Sequence, residues 1–544
     1  MNPSGLLESN HPQMKTICSA LDDQAQGFSR EGSHLKHLIT DPDRLEKYSI
    51  QSPNFVFDFS RQRLDQKTID LLLNLAEETH ALDTFFQMTR GDLVNPSEKR
   101  PALHTAARGS GKGPIQYKTL DVRKEMDRVN QNIATFSKKI HQGKITPGCN
   151  RPFTAAVVVG IGGSYLGCEF LYEALGAGPK KKLPLYFLAN VDIDNFARII
   201  GEVDPETCLW IVISKSYTTT ETMANLNQVL WFLKEKNLNP KNHLVTVTAQ
   251  KSPGDNPDTP MLASFHIFDF IGGRYSVSSA VGGLPISLAF GTQCFEQFLQ
   301  GCKAMDTHVL SAEPRKNIPL VAALISIWNT IFLNYPGQAV IPYASSLSKL
   351  APHVQQLYME SMGKSVSAQG TPLSRAAGTI IFGEPGTNAQ HSFFQLAHQG
   401  PAFPIEFIGV LNPGYKGYQV LSKGVTNHQE LWANLLAQAN ALAKGQAHDT
   451  PARQFTGNRP SSILVLKDLE PESLGMLLAF YEARTVLEGF ILGLNPFDQF
   501  GVELGKTMAT KIKEKMAAKN KAPEYDFEPL DPDTKFYLNL LFDQ

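Results

Sequence analysis

The chain has 544 residues, and its 51 lysines and arginines against 52 aspartates and glutamates leave a formal net charge of -1. Because the positive and negative charges balance, the composition gives no sign of a basic surface for nucleic acid or an anionic membrane. A small-molecule partner is favoured. Apolar residues make up 42% of the chain, which is typical of a globular protein, and the length predicts two or three packed units.

The N-terminus and the cysteines bear on the compartment. Met1 to Ser9 lack the pattern of a signal peptide, and the most apolar stretch, Ile318 to Leu333, is interrupted by polar residues and predicts a buried helix rather than a membrane span. The six cysteines show neither metal-ligand spacing nor a short disulfide framework. We therefore expect a cytoplasmic protein that contacts no membrane.

The predicted elements change in character along the chain. Residues 1–115 mix charged helical patterns with turn signals and predict a helical N-terminal region that packs on the larger domain. Further on, short apolar runs alternate with amphipathic stretches, as expected for parallel strands buried on both faces. The strand candidates are Ala155–Val159, Leu185–Leu188, Leu209–Ile213 and His243–Val247 in residues 116–300, and Gln338–Pro342, Thr379–Phe382, Ile405–Val410 and Ser462–Val465 in residues 301–510. The pattern predicts an α/β domain in each of these two ranges.

A C-terminal tail is predicted for residues 511–544. Its first part, Lys511 to Lys521, carries five lysines and predicts a solvated helix face. Its apolar end, Phe536 to Phe542, is expected to dock on the body of the protein or on a second subunit.

A glycine-rich turn, Gly160 to Gly167, follows the first of these strands. It fails as the dinucleotide fingerprint GxGxxG because Tyr165 occupies a glycine position and no acidic residue ends the next strand, which argues against a nicotinamide-dependent dehydrogenase. The glycines would let a ligand approach the backbone, with Ser164 as a donor to sugar or phosphate. The alternative is a tight turn that needs glycine only for packing.

A hydroxyl-rich segment, Ser214 to Thr222, follows the run Leu209–Ile213 and contains seven hydroxyl side chains and a lysine. A strand that ends in such a turn and opens a helix gathers backbone N–H groups, the positive end of the helix dipole and O–H donors at one point. The alternative, a helix start capped between Thr218 and Glu221, explains only two positions. The segment therefore predicts a phosphate-binding turn.

Two charged side chains are candidates for the chemistry. Arg274 follows a glycine pair, and because arginine keeps its charge it would stabilise an oxyanion in a cleft, although a surface salt bridge is the commoner use. Glu360 lies between two methionines, and such apolar flanks suit a general base that works near neutrality. Its alternative is a helix-surface pair with Lys364.

Two later segments carry further candidates. A helix is predicted from Thr387 or Asn388 to Gly400, with His391 in its first turn, where the dipole would keep the imidazole able to accept a proton. His398 is the competing histidine. Gln499 and Lys506 are seven residues apart and are predicted to share one helical face, with a Glu503–Lys506 surface pair as the alternative.

Together and in chain order, five segments resemble motifs of the glucose-6-phosphate isomerase family, also called the phosphoglucose isomerase family: the glycine-rich turn and the segments of Arg274, Glu360, His391 and Gln499. The longest matches are Asp269 to Gly282 and Gly493 to Lys506, and the resemblance covers about residues 150 to 510. It implies two SIS-type three-layer α/β/α sandwich domains with mainly parallel sheets, in a homodimer whose active site is completed by the partner chain. It also implies interconversion of glucose 6-phosphate and fructose 6-phosphate without a metal or cofactor.

The resemblance also implies roles for individual side chains. Glu360 matches the base that moves a proton between C2 and C1, Arg274 faces the enediolate, and His391 and Lys506 match the ring-opening pair, with His391 reaching in from the other subunit. The implied substrate contacts are Gly163, Ser164, Ser214, Lys215, Ser216, Thr219, Thr222, Gln356 and Gln499. A non-catalytic sugar-phosphate-binding regulator of the same fold is the main alternative, because it would keep the hydroxyl-rich turn without needing the catalytic set.

Overall fold

Two mainly parallel sheets account for the buried apolar runs of the sequence. The computed structural model describes residues 12–543 apart from residues 53, 112, 177, 179 and 416, so the segment Met1 to Ser9 lies outside the described residues. By its contacts the chain divides into a unit that ends at Phe497 and holds both sheets, and a smaller unit that begins at Asp498.

The N-terminal region is helical, as predicted, and also contributes strands. Its elements are α1 (Pro12–Gly27), α2 (Leu35–Leu38), α3 (Arg44–Lys47), β1 (Ser49–Ser52), β2 (Phe55–Asp58), α4 (Gln66–Glu78) and α5 (Ala81–Arg90). A short hairpin of β3 (Gln116–Tyr117) and β4 (Leu120–Asp121) then leads into α6 (Val122–His141).

The first sheet has the strand order β6-β5-β7-β8-β9, and all its strands are parallel. Its elements, with the two helices that follow, are β5 (Ala155–Val159), α7 (Leu166–Leu175), β6 (Leu185–Leu188), α8 (Ile193–Glu202), β7 (Cys208–Ile213), α9 (Thr220–Glu235), β8 (Leu244–Ala249), β9 (Ala263–Ile267), α10 (Ala280–Phe290) and α11 (Thr292–Ser311). Ile211 packs with α6 and α7 on one face, whereas Trp210 packs with α8 and α9 on the other. This alternation makes three layers.

The second sheet has the order β1-β2-β15-β12-β10-β11. The elements of this part of the chain are α12 (Ile318–Ile327), β10 (Gly337–Pro342), α13 (Leu350–Met362), β11 (Ile380–Phe382), α14 (Phe394–Gln399), β12 (Ile405–Val410), β13 (Leu421–Ser422), β14 (Val425–Thr426), α15 (Asn427–Lys444), β15 (Ser461–Leu466) and α16 (Pro471–Ile491). The hairpin β1–β2 joins β15 antiparallel, with Phe57 opposite Leu464. Phe407 faces α14 and α15, and Ile408 faces α16, so this domain also has three layers.

The predicted α/β fold is confirmed, and the predicted strands agree with the observed ones within two residues at each end. The smaller unit consists of α17 (Glu503–Lys521) and α18 (Pro532–Phe542), and α17 runs across the predicted boundary at residue 510. Its lysines do more than face solvent, because Lys515 and Lys519 donate to the carbonyls of Glu528 and Tyr525. The boundaries at residues 115 and 300 stay predictions. No helix in the described part of the chain is long and apolar enough to cross a membrane.

Candidate active site

The centre of the site is a pair formed by Arg274 and Glu360. Arg274 lies in a 3₁₀ turn, Gly273–Tyr275, after β9, and Glu360 lies in the last turn of α13. Arg274 Nη1 donates to Glu360 Oε2 at 3.1 Å, and the arginine side chain is 1% exposed whereas the glutamate side chain is 29% exposed. The surface salt bridge considered for Arg274 is therefore excluded, and a buried positive charge lies against a carboxylate that ligands can reach.

The guanidinium of Arg274 is fixed on its other sides. Nε donates to Ser361 Oγ at 2.7 Å, and Nη2 donates to the carbonyl of Pro496 at 2.6 Å. The hydroxyl of Tyr275 lies 2.9 Å from the same Ser361 Oγ. Because hydrogen bonds from a charged donor are strong and directional, this arrangement holds Nη1 on the carboxylate.

Gln356 lies one helical turn before Glu360. Its Nε2 donates to Glu360 Oε1 at 2.9 Å, so both carboxylate oxygens have a partner. Its Oε1 is buried, and among the described residues it has no hydrogen-bond partner. A buried acceptor is costly when it is left unpaired. The amide oxygen is therefore placed to accept a hydroxyl of a ligand beside the carboxylate.

The glycine-rich turn after β5 packs directly on the Arg274 turn. An ideal Cβ on Gly163 would lie 2.5 Å from Gly273 O and 2.7 Å from Arg274 N, and Ser276 Oγ donates to Gly163 O at 3.1 Å. An ideal Cβ on Gly162, whose φ is +57°, would lie 3.2 Å from Gln356 Nε2. Glycine is thus required here for close approach, and the turn brings the half-buried Ser164 to the same edge as Arg274.

The hydroxyl-rich segment follows β7 at the neighbouring position of that edge. Ser214 Oγ donates to Thr219 Oγ1 at 3.3 Å, and Thr218 Oγ1 donates to Ser216 Oγ at 2.7 Å. Thr219 precedes the first residue of α9, and among the described residues its side chain makes no capping hydrogen bond. The capping box between Thr218 and Glu221 is therefore not formed.

The first turn of α9 leaves backbone donors free. Among the described residues, the N–H groups of Thr220, Glu221 and Thr222 have no acceptor, as expected for the start of a helix. These donors carry the positive end of the dipole of a 16-residue helix. The turn therefore has the properties of an anion-binding site.

Lys215 connects this turn to the segment that leads to Arg274. Its Nζ lies 3.2 Å from the carbonyl of Ile271 and 3.5 Å from that of Asp269. Burial, and then the nearby charge of Arg100, lowers the pKa of Lys215. A phosphate beside it would offset both effects and stabilise the ammonium form.

His391 does not occupy the predicted helical position. It ends a 3₁₀ turn, Asn388–His391, and α14 begins only at Phe394. The backbone of Ser392 (φ −115°, ψ −74°) separates the two, so no continuous helix runs to Gly400. The prediction that a helix dipole acts on His391 is therefore wrong, and the imidazole lies on the surface.

His398, the competing histidine, makes the contacts of a residue that stabilises packing between helices. Its Nε2 lies 2.9 Å from Gln438 Oε1, and its ring contacts Phe394 and Phe455. Such a half-buried, hydrogen-bonded histidine packs α14 on α15, so His398 is not a catalytic candidate.

Gln499 and Lys506 do not share a helical face. Gln499 has an irregular backbone (φ −154°, ψ 50°) and is followed by a 3₁₀ turn, Phe500–Val502, whereas Lys506 lies in α17. The prediction assumed one helix through both residues, and it is wrong because α17 begins at Glu503. The roles of both residues stay predictions.

Comparison with known proteins bears on the same segments. The family model for phosphoglucose isomerase matches residues 58–529. The chain belongs to this family. A glucose-6-phosphate isomerase of Desulfosudis oleivorans is 56% identical over 521 residues, which cover 95% of each chain. A cytosolic glucose-6-phosphate isomerase of Arabidopsis thaliana is 39% identical over 502 residues, covering 89% of this chain and 90% of the relative.

A solved structure is also similar. The crystal structure of a glucose-6-phosphate isomerase from Chlamydia trachomatis has a TM-score of 0.87 and 36% identity, and the match covers 96% of this chain and 98% of that one. The expected family and fold are thereby confirmed.

Sequence reasoning missed the residues that hold Arg274. Ser361 follows Glu360 directly and carries no signal of its own in a helix, and Pro496 contributes only a backbone carbonyl. Arg274 and Pro496 are 222 positions apart in the sequence, and a motif of residue types cannot show that the fold brings this carbonyl to the guanidinium. In the described part of the chain, no group of three or more His, Cys, Asp or Glu side chains is arranged to hold a metal ion.

Proposed function

We propose that this chain is an aldose–ketose isomerase that interconverts glucose 6-phosphate and fructose 6-phosphate in glycolysis and gluconeogenesis. The observation that carries the proposal is the Glu360–Arg274 pair, a reachable carboxylate 3.1 Å from a buried guanidinium, in a chain of the phosphoglucose isomerase family. The names of the relatives, glucose-6-phosphate isomerase in each case, support the same substrate.

Glu360 is the proposed base. In the open-chain aldose, the carboxylate takes the proton from C2, the C–H electrons form the C1–C2 double bond, and the carbonyl oxygen becomes an enediolate oxygen. Arg274 stabilises that negative charge because its position is fixed before the reaction begins. A proton then passes from the C2 hydroxyl to O1, the protonated Glu360 returns its proton to C1 with the electrons of the C1–C2 double bond, and O2 becomes the carbonyl oxygen of the ketose.

The hydroxyl-rich turn is the proposed phosphate site. The proposed phosphate contacts, Ser214, Lys215, Ser216, Thr219 and Thr222, lie in or next to the turn that leads into α9, where backbone N–H groups are free. The proposed sugar contacts are Gly163, Ser164, Gln356 and Gln499. Binding energy from the phosphate, which does not react, fixes C1 and C2 over the carboxylate.

Ring opening is assigned to His391 and Lys506, one moving a proton at the ring oxygen and the other at the C1 hydroxyl. The surface position of His391 supports its action in the site of a second chain, so we infer a homodimer. We also infer a cytoplasmic location, which the relatives named cytosolic support. The proposal involves no metal or cofactor, because side chains supply both the proton transfer and the charge stabilisation.

The test is a coupled assay in which purified chain is added to fructose 6-phosphate with metals chelated, and glucose 6-phosphate is read through its dehydrogenase. Sustained turnover is expected. Folded protein that binds the sugar phosphate without turnover would instead favour the non-catalytic regulator, and the catalytic roles would be withdrawn.

A further inference from the structure

A separate cavity of about 660 Å³ lies at the edge of the second sheet where its parallel strands begin. Its walls include Tyr335 before β10, Ala402 before β12, Arg459 before β15 and Arg63 after the antiparallel strand β2. The described lining of this cavity contains none of the residues assigned to the candidate active site. The cavity is therefore distinct from the proposed active site.

The cavity carries uncompensated positive charge. Arg63, Lys444 and Arg459 line it, and within the described residues none of them forms an ion pair with a carboxylate. The acidic residue of the described lining, Glu31, is bound by Lys36 at 2.6 Å. Three cations thus share one cavity without a counter-ion from the chain.

Arg459 is the most constrained of the three. It is only 7% exposed, its Nη2 donates to the carbonyl of Gly400 at 2.8 Å, and its Nε and Nη1 are buried without a partner among the described residues. Burial lowers the pKa of Arg459. A buried guanidinium that meets only a neutral acceptor is unfavourable unless a negative charge comes close.

Arg63 repeats this arrangement. Nη1 donates to the hydroxyl of Tyr335 at 2.8 Å, Nη2 donates to the carbonyl of Phe28, and Nε is buried without a described partner. Both arginines are therefore held in place by neutral groups, and their charge is left for something else to neutralise.

The wall between Lys444 and Arg459 is built rigidly. Gly445 (φ +68°) and Gly457 (φ +65°) pack backbone on backbone, since an ideal Cβ on Gly445 would lie 2.6 Å from Gly457 N. Gln446 and Phe455 exchange two hydrogen bonds of 2.9 Å. The backbone of such a wall keeps its position, which lowers the entropic cost of binding a ligand.

His34 adds a donor to this wall rather than a charge. Its Nδ1 accepts from the Lys36 N–H at 3.0 Å, so Nε2 donates to the carbonyl of Thr456 at 2.9 Å. The imidazole is therefore neutral in this arrangement, and the positive charge comes from the arginines and Lys444.

We propose that this cavity binds a small polyanion that carries phosphate groups. Two fixed guanidiniums suit phosphate oxygens, and Lys444, exposed at the end of α15, supplies a mobile charge. The volume lies within the range of small-molecule sites. The site does not use the phosphate-binding turn of α9, so the proposal is independent of the isomerase assignment.

The test measures binding of inorganic pyrophosphate to the full chain by isothermal titration calorimetry, with fructose 6-phosphate in excess to occupy the turn of α9. We expect one pyrophosphate per chain and at least tenfold weaker binding of inorganic phosphate, which carries fewer charges. No pyrophosphate binding, or equal affinity for the two anions, would overturn the proposal.

Lys444→Glu is the diagnostic variant, because Lys444 is exposed and its replacement should leave the fold intact. Lys234→Glu is the matched control, an exposed lysine in the last turn of α9. Lys444→Glu should weaken pyrophosphate binding at least tenfold with unchanged isomerase turnover, and Lys234→Glu should bind as the wild type does. Equal binding by Lys444→Glu and wild type would contradict the assignment of the site.

Discussion

Arg274 Nη1 donates to Glu360 Oε2 at 3.1 Å, although the two residues are 86 positions apart and lie on a turn after β9 and on α13 respectively. The first α/β domain thus supplies the positive charge, and the second supplies the base. Their geometry depends on how the Arg274 turn packs on α13, so substitutions at this contact are the most informative.

Arg274→Lys should reduce kcat by about 100-fold or more with little change in KM. Lysine keeps the charge, but a single ammonium cannot bond Ser361, Pro496 and Glu360 in the directions that the guanidinium uses. Steady-state kinetics on folded protein would check this, and a kcat within about threefold of wild type would refute a fixed-charge role for Arg274.

Ser361→Ala should lower kcat by about tenfold, because Nε of Arg274 loses its acceptor and the guanidinium is free to tilt. Tyr275→Phe is the matched control. It removes the other hydroxyl that touches Ser361 but leaves the Arg274–Ser361 bond in place, so its kcat should stay near wild type. Equal losses in the two variants would indicate a general packing effect instead of positioning.

Gly163→Ala should cost most of the activity and destabilise the protein by about 2 kcal/mol, because the new methyl group would push the Gly273–Arg274 backbone away. Gly201→Ala is the control, since an ideal Cβ there meets nothing within 4 Å and alanine favours the helix by about 1 kcal/mol. Assays and thermal melts of the two variants should diverge. A fully active Gly163→Ala would show that the turn is not required to be glycine.

His353 should lower the free energy of unfolding as the pH falls. It is buried against Phe170, both ring nitrogens lack partners among the described residues, and burial lowers its pKa to about 4. In the unfolded chain the imidazole of His353 binds a proton as the pH falls below about 6.5, the usual pKa of histidine. In the native protein it binds that proton only when the pH falls to about 4. The free energy of unfolding should therefore fall by roughly 3 kcal/mol between these values.

His353→Leu isolates this contribution, because leucine has a similar volume and cannot be protonated. Thermal melts at pH 7.5 and pH 5 should show the variant at least as stable as wild type at the higher pH, with its advantage growing at the lower pH. Parallel pH profiles for the two proteins would mean that His353 does not titrate as described.

The sequence predicts the sheets well, because strands buried on both faces carry continuous apolar runs such as Ala155–Val159. It does not predict that β1 and β2 extend the second sheet. Residues Ser49–Ser52 have no strong apolar pattern, and the pairing of β2 with β15 spans some 400 positions. The local β-propensity of a segment does not indicate which distant strand it will pair with.

Around His391 the sequence predicts a continuous helix that the structure does not contain. Capping residues and a suitable composition favour a helix from Thr387 to Gly400, but Phe393 packs on Phe382 and Phe394 packs on Phe407, and these contacts break the helix at Ser392. Tertiary packing overrides propensity here.

The candidate site could be predicted only in part. Locally, surface pairs were the commoner alternatives for both Arg274 and Glu360, and the two residues stood out only when all five segments were considered together. The anchors at Ser361 and Pro496 follow from the fold alone.

The most direct test follows hydrogen at C1 of fructose 6-phosphate in D₂O by proton NMR, comparing wild type with Glu360→Gln. The Glu360 side chain is 29% exposed, so a proton that it holds can exchange with solvent, and wild type should exchange one C1 hydrogen for deuterium. Glu360→Gln should bind the sugar phosphate but show no exchange and no isomerisation. Exchange at a rate near wild type would contradict the central claim that Glu360 is the base.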